Sequence, residues 1–382
     1  MPRIVFFYPD VIGGVRTYVT NLATWLHENG IDYLVIAYGQ GQGFSTVKKT
    51  GALPKAYSLH FSPYATEASK YRDLVAELKA DDILICNDSF ELEAISLLQL
   101  KNKTVFILHG DLIHYHNTIT KFERVIDHVF CVSKGLKKKY GNIFPGLPFS
   151  VAYTLLKNFH PAIRDNQSTL KIVYIGRFEK MKGADDLVKV IETINTGSLE
   201  VQWHVYTAKA SADNSILEKL PSNTAVFFDT PHSQLMKKLE DMDILVFPSR
   251  SEGLGLVVLE AMKRGVAPIA RNLPIGIPDM VEDKKTGFLI NSPEEIVSII
   301  ELLHKDRALL KTIKQQANDY ANSYFDPNNW DNNFMHLASG IVAKEKGFNV
   351  QKQQRLGRIM PEGIYRVCKF LLHKVKFKSF PS

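Results

Sequence analysis

Strand-like and helix-like runs alternate along this chain in two successive series, and such alternation can bury its apolar faces only as open parallel sheets covered by helices. The first series has strand-like runs at 4–8, 33–37, 83–86, 105–108 and 129–132, with a helical pattern over 15–28. The second has strand-like runs at 171–176, 203–206, 226–228 and 244–247, with a helical pattern over 184–194. At 382 residues the chain exceeds one ordinary core, so an α/β protein of two Rossmann-like domains is expected. The stretch 158–168 is polar, contains Pro161 and has no apolar period, which places the boundary there. The expected domains are 1–160 and 161–326.

The second series ends in Ser251-Glu252-Gly253-Leu254-Gly255-Leu256-Val257-Val258-Leu259-Glu260-Ala261-Met262. Before it, 243–248 reads as a buried strand ended by Pro248; after it, a helical run from Leu256 closes at Gly265. Gly253 and Gly255 let the backbone approach a ligand closely, and the first helical amides are donors suited to a diphosphate. With about 1.5 Å rise per residue, Glu260 falls on the same face as Leu256, roughly 6 Å along the axis. Glu252 and Glu260 can then contact different parts of one extended ligand, one holding a ribose and the other a hexose through vicinal hydroxyls.

This segment, with Pro248-Ser249-Arg250 before it and 270–289 after it, resembles the E-x7-E motif of retaining glycosyltransferases of family 4. The resemblance covers roughly residues 1–343 and implies the GT-B fold: two Rossmann-like domains facing a cleft, the first on the acceptor side and the second on the nucleotide-sugar donor side, with a crossover helix at 327–343 returning to the first. It gives Glu252 the transferred sugar and Glu260 the ribose, with Gly253, Leu254, Gly255 and Leu256 lining the donor.

Gly176-Arg177-Phe178-Glu179-Lys180-Met181-Lys182-Gly183 lies between the first strand and helix of the second series, where an anion meets a helix N-terminus. Arg177 offers a planar fork and Lys182 a point charge, which together neutralise a diphosphate without metal. The run is similar to the family's GR-x4-KG, which assigns both residues to the leaving group. Gly13-Gly14 resembles the family's N-terminal glycine loop facing the donor, and Arg16 follows it, directed to substrate phosphate or to solvent. His109 stands at a strand's carboxyl end, where open α/β sheets place ligands, and resembles the family's histidine that contacts the donor sugar. Asp111, His114, Tyr115 and His116 form a candidate acceptor loop.

Two literal motifs lack their context. Asp241-Met242-Asp243 spells D-x-D but leads into the strand before Pro248, and Gly39-Gln40-Gly41-Gln42-Gly43 opens no periodic helix. The chain departs from the family at Thr207-Ala208-Lys209 and Asp229-Thr230, where glycines are common, at Asn158-Phe159 in place of Asn-Gly, and at Asp279 in place of Glu.

The formal charge of +7 is concentrated at the end: residues 344–382 hold ten Lys or Arg against two Glu, leaving 37 basic and 38 acidic groups elsewhere. Ile364, Val367, Cys368, Leu371 and Val375 recur there at helical spacing among Arg366, Lys369, Lys374, Lys376 and Lys378, with Phe370 and Phe377. A basic amphipathic helix of this kind suits an anionic membrane surface, reinforced by Lys134, Lys137, Lys138 and Lys139; docking on the protein is the alternative. No nucleic-acid reading module accompanies the charge. The opening apolar run is too short for a signal peptide and no run is long enough to span a bilayer, so a cytoplasmic protein, peripheral on the inner face of the cell membrane, is expected. Cys86, Cys131 and Cys368 read as reduced thiols.

The expected activity is metal-independent, retaining transfer of a hexose from a UDP-, GDP- or ADP-sugar to a hydroxyl of a glycan or lipid-linked acceptor, with no cofactor. Retention is implied by the resemblance. A nucleotide-sugar epimerase on the same architecture, or a non-catalytic partner subunit of another transferase, are the alternatives.

Overall fold

The computed structural model of the protein describes residues 2–10, 13–41, 46–49, 53–161, 169–197, 199–326, 338 and 340–347. They fold into two compact units, each built on its own sheet. The first sheet contains β1 (Ile4–Pro9), β2 (Tyr33–Gln40), β3 (Thr46–Lys49), β4 (Ala56–Phe61), β5 (Ile83–Cys86), β6 (Lys103–Leu108), β7 (His128–Cys131) and β8 (Phe149–Val151). Its order is β3-β4-β2-β1-β5-β6-β7-β8; each pair from β4–β2 through β6–β7 is parallel, while β3 runs antiparallel to β4. Five helices belong to this half of the chain: α1 (Gly14–Glu28), α2 (Glu67–Val75), α3 (Ser89–Leu97), α4 (Ile113–Phe122) and α5 (Lys134–Ile143).

The second sheet is β11-β10-β9-β12-β13-β14, all parallel, from β9 (Leu170–Ile175), β10 (Val201–Thr207), β11 (Ala225–Phe228), β12 (Ile244–Phe247), β13 (Ala267–Arg271) and β14 (Phe288–Ile290). Its helices are α6 (Ala184–Thr196), α7 (Asn214–Leu217), α8 (His232–Leu239), α9 (Leu256–Met262), α10 (Ile277–Met280), α11 (Pro293–Lys305) and α12 (Arg307–Tyr324). Strand order reverses between β9 and β12, and open α/β sheets bind ligands at the carboxyl ends of strands beside such a reversal. The core is near-continuous apolar sequence, because both faces of a parallel sheet are covered: Ile172, Tyr174, Trp203, Val205, Ile244 and Val246 pack against Leu187, Ile191 and Ile194 of α6 and Ile296 and Ile300 of α11.

Both series therefore form doubly wound sheets, as the alternation predicts. The pattern overlooks β4, because Ser58 and His60 interrupt its apolar run. It also reads 111–116 as a loop, whereas Ile113 opens α4; Tyr115, Thr118, Ile119 and Phe122 recur at helical spacing and are buried.

The chain changes unit near Val151, before the polar stretch at 158–168, because residues 156–159 are bound into the second unit. Nζ of the fully buried Lys263 donates to Leu156 O (2.9 Å), Asn158 Oδ1 (2.8 Å) and Phe325 O (3.0 Å). Asn318 and Asn322 donate to Phe159 O at 2.9 and 2.7 Å. Ala338 and residues 340–347 belong with the first unit. Lys344 N donates to Asp127 Oδ1 (3.0 Å), and the buried Lys346 Nζ donates to Thr104 Oγ1 (2.7 Å) and to Asn102 O. Most of the expected crossover, and the amphipathic pattern from Gly363 onward, lie outside the described residues. No helix among the described residues is long and apolar enough to cross a membrane.

Candidate active site

In the second unit the site is built where β9, β11 and β12 end. After β9 the chain makes a tight loop, Gly176 to Gly183, whose 3-10 turn spans Lys180–Lys182. The buried Tyr174 pins this loop: its hydroxyl donates to Arg177 O at 2.7 Å and lies 3.4 Å from Lys182 O. Gly183 closes it at φ +71°, and a Cβ there would sit 2.3 Å from Pro248 O and 2.7 Å from its carbonyl carbon. Only glycine permits both that backbone conformation and that approach. The loop after β9 is thereby seated against the loop after β12.

That seating brings the two predicted motifs together. Lys182 Nζ donates to Glu252 Oε1 at 2.7 Å and lies 3.4 Å from Ser251 O. Both side chains are largely buried. Arg250 fixes the loop from the other side, donating to Asp185 Oδ1 (2.6 Å), Asp186 Oδ2 (2.7 Å) and Lys180 O. Arg271 Nη2 reaches the same Asp186 Oδ2 at 2.6 Å, and its Nε donates to Pro248 O at 3.0 Å. Two arginines thus bracket one buried carboxylate beneath the motif. Neither stands out in the sequence as more than a flanking basic residue. Arg177 is half-exposed, its Nη1 3.1 Å from Glu179 Oε1.

Gly255 precedes α9 at φ +89°, with Ile277 Cδ1 2.7 Å from where a Cβ would stand; no side chain caps the N-terminus of α9. Leu254 is buried, while Gly253 and Leu256 are partly exposed. Glu260 projects from α9 into a buried position and accepts from His232 Nε2 at 2.8 Å. The hydrogen bond to Glu260 raises the His232 pKa above the ordinary imidazole range, against a smaller opposing effect of burial. No sequence motif singles out His232. Its position just beyond β11, behind Pro231, is the signal that points to it.

The D-x-D run is occupied structurally at Asp243, which accepts Lys171 N (3.0 Å) and Lys314 Nζ (2.8 Å). Asp279, where the family has Glu, accepts Lys134 N (2.6 Å) and the Tyr153 hydroxyl (3.0 Å). Among the described residues no cluster of His, Cys, Asp and Glu has the makings of a metal site.

In the first unit, Gly13 and Gly14 start α1 and are exposed, with nothing within 4 Å of a Cβ at either. Arg16 Nη1 lies 3.8 Å from Asp10 Oδ1. His109 follows β6. Its Nε2 is 2.6 Å from Asn87 Oδ1, and Asn87 Nδ2 donates to Phe7 O at 2.6 Å, which assigns the Nε2–H tautomer to His109. Tyr18 of α1 packs edge-on against the ring at 5.2 Å. Burial pushes the His109 pKa down to about 3, so the imidazole is neutral at ordinary pH. Asn87 and Tyr18 thus tie His109 to β1 and to the helix behind Gly13-Gly14. Asp111 accepts from the Tyr140 hydroxyl at 3.3 Å, and His114 lies 3.5 Å from Asp88.

Two parallel α/β units, the second carrying a glutamate-bearing strand–loop–helix joined to a basic loop, define a glycosyltransferase of the GT-B fold. The family model "Glycosyltransferase Family 4" matches residues 12–148 and "Glycosyl transferases group 1" matches residues 157–320, and the chain belongs to the family 4 glycosyltransferases. An uncharacterized glycosyltransferase of Haemophilus influenzae is 26% identical, the match covering 79% of this chain and 90% of that one. The capsular polysaccharide biosynthesis glycosyltransferase CapM of Staphylococcus aureus is 30% identical over 42% of each chain. Among solved structures, a mutant of TarM from S. aureus, in complex with Fondaparinux, alpha-GlcNAc-glycerol and UDP, superposes with a TM-score of 0.72 at 12% identity, covering 88% of this chain and all of that one.

Proposed function

We propose that this glycosyltransferase transfers a hexose, with retention and without a metal, from a nucleoside diphosphate sugar to a hydroxyl of a glycan acceptor. The observation that carries the reading is the Lys182–Glu252 contact, which joins the basic loop after β9 to the glutamate loop after β12. An ammonium has three donors. Bonded to Glu252, Lys182 keeps capacity for a phosphate oxygen, and Arg177 supplies a second, planar cation. Glu252 in turn accepts from a hydroxyl of the transferred sugar, and Glu260 from the ribose. The anomeric carbon–phosphate oxygen bond breaks while the acceptor oxygen bonds to the same carbon from the same face. The acceptor's proton passes to the departing phosphate, whose charge Arg177 and Lys182 stabilise. His109, neutral and an acceptor at Nδ1, is assigned to a hydroxyl of the donor sugar. The CapM relative and the UDP bound to the TarM neighbour support a nucleotide-sugar donor and a cell-surface glycan product.

The acceptor is lipid-linked or a polysaccharide precursor, met at the cytoplasmic face of the membrane through the basic residues of 344–382. Lys344 and Lys346 are held by the first unit, so residues beyond 347 make the membrane contact.

The test is a thermal-shift panel of UDP, GDP, ADP and their sugars. One nucleotide and its sugar should stabilise the protein in proportion to the logarithm of their concentration. No stabilisation by any of them would defeat the reading, and conversion of the donor without acceptor would mark an epimerase.

A further inference from the structure

Glu260 is nearly inaccessible, its side chain 4% exposed. Among the described residues, His232 is the hydrogen-bond donor to its carboxylate, at Oε1, and Oε2 has none. The backbone beneath is also fixed, Arg264 Nη1 donating to Glu260 O at 3.2 Å and Arg264 Nε to Met236 O at 3.0 Å. One carboxylate oxygen is thus immobilised and the other left open. His232 itself is 56% exposed, so its ring meets both the buried carboxylate and the surface.

We infer that His232 is a positioning residue for the nucleoside end of the donor: it orients Glu260 so that Oε2 receives the ribose hydroxyls, and when cationic it adds positive charge beside the donor's diphosphate. The inference rests on the reading that Glu260 binds ribose.

A carboxylate without a donor is free to turn, and turning misplaces the acceptor that two vicinal hydroxyls need. The His232 hydrogen bond holds Glu260 in one orientation. The charged groups facing His232 are Glu260, which favours its cation, and Arg264, which opposes it less strongly. Neutral imidazole keeps the Nε2–H bond but loses the charge. Nucleotide affinity should therefore fall as pH rises through the His232 transition, while orientation persists.

Three variants separate charge from orientation. Nucleotide binding is measured by calorimetry on the full chain at about pH 6 and about pH 9, with whichever of UDP, GDP and ADP binds tightest. Comparing each variant with wild type at the same pH removes the phosphate's own titration. His232→Gln keeps a donor without charge, so it should bind about three- to fivefold more weakly at the lower pH and equal wild type at the higher. His232→Ala loses both and should be weaker at both. At the lower pH, His232→Gln should raise the donor KM by a similar factor and change kcat less. Glu260→Ala is the control for the underlying reading: unaltered nucleotide affinity there, or binding of none of the three nucleotides, overturns that reading and this inference together. Loss of affinity in Glu260→Ala, with wild-type affinity at both pH values in both His232 variants, overturns the inference alone. So does a His232→Gln defect that does not change with pH. Melting temperatures of each variant exclude unfolding as the cause.

Discussion

Lys182 Nζ and Glu252 Oε1 meet at 2.7 Å although their residues are 70 apart in the chain. The contact converts two separately legible motifs into one charged site. Lys182→Ala should lower turnover by roughly 10²- to 10³-fold, because it removes a preorganised cation from the developing phosphate charge. Stability should fall by about 1–3 kcal/mol, because the variant leaves the largely buried Glu252 carboxylate without its partner. Arg177→Ala and Glu252→Ala should lower turnover alike. Steady-state kinetics with melting curves check this, and turnover within a few-fold of wild type would remove these residues from the chemistry.

Gly183→Ala should destabilise the second unit by about 2–4 kcal/mol, through a left-handed backbone that a Cβ resists and a clash with Pro248 O. Urea unfolding of the variant measures it. An unchanged midpoint would mean that the loops after β9 and β12 are not seated as described.

His109 has its pKa depressed to about 3 in the fold, against an ordinary value near 6.5. Between these values the unfolded chain binds the extra proton, so the contribution to stability is complete above about pH 6.5 and is lost as pH falls toward 3, at no more than about 1.4 kcal/mol per pH unit. His109→Gln should lose less melting temperature than wild type between about pH 7 and pH 4. Parallel losses in the two proteins would contradict the buried, neutral assignment.

Removal of residues 348–382 should abolish binding to vesicles containing anionic lipid while leaving hydrolysis of a soluble donor intact, since each basic residue near the headgroups contributes about 1 kcal/mol. Truncation at 344 should in addition lower the melting temperature, because Lys346 Nζ lies 3.5 Å from the buried Asp127 and donates to Thr104 Oγ1. Vesicle sedimentation distinguishes the two roles. Retained binding after the shorter deletion would place the membrane contact elsewhere.

The amino-acid sequence by itself determined the class of fold and singled out most of the candidate site residues. Apolar runs such as Ile244–Phe247, followed by a glycine-rich turn and a short helix, leave a parallel strand–loop–helix as the natural solution, and Arg177, Lys182, Glu252 and Glu260 are each legible within a local pattern. The tertiary structure alone decided who partners whom. His232 sits 28 residues from Glu260, Asp186 is shared by Arg250 and Arg271, and Lys263 gathers carbonyls from both ends of the second unit. Such pairings follow from burial: a charge withdrawn from water must find a partner wherever the packed sheets bring one, and spacing along the chain carries no record of that distance.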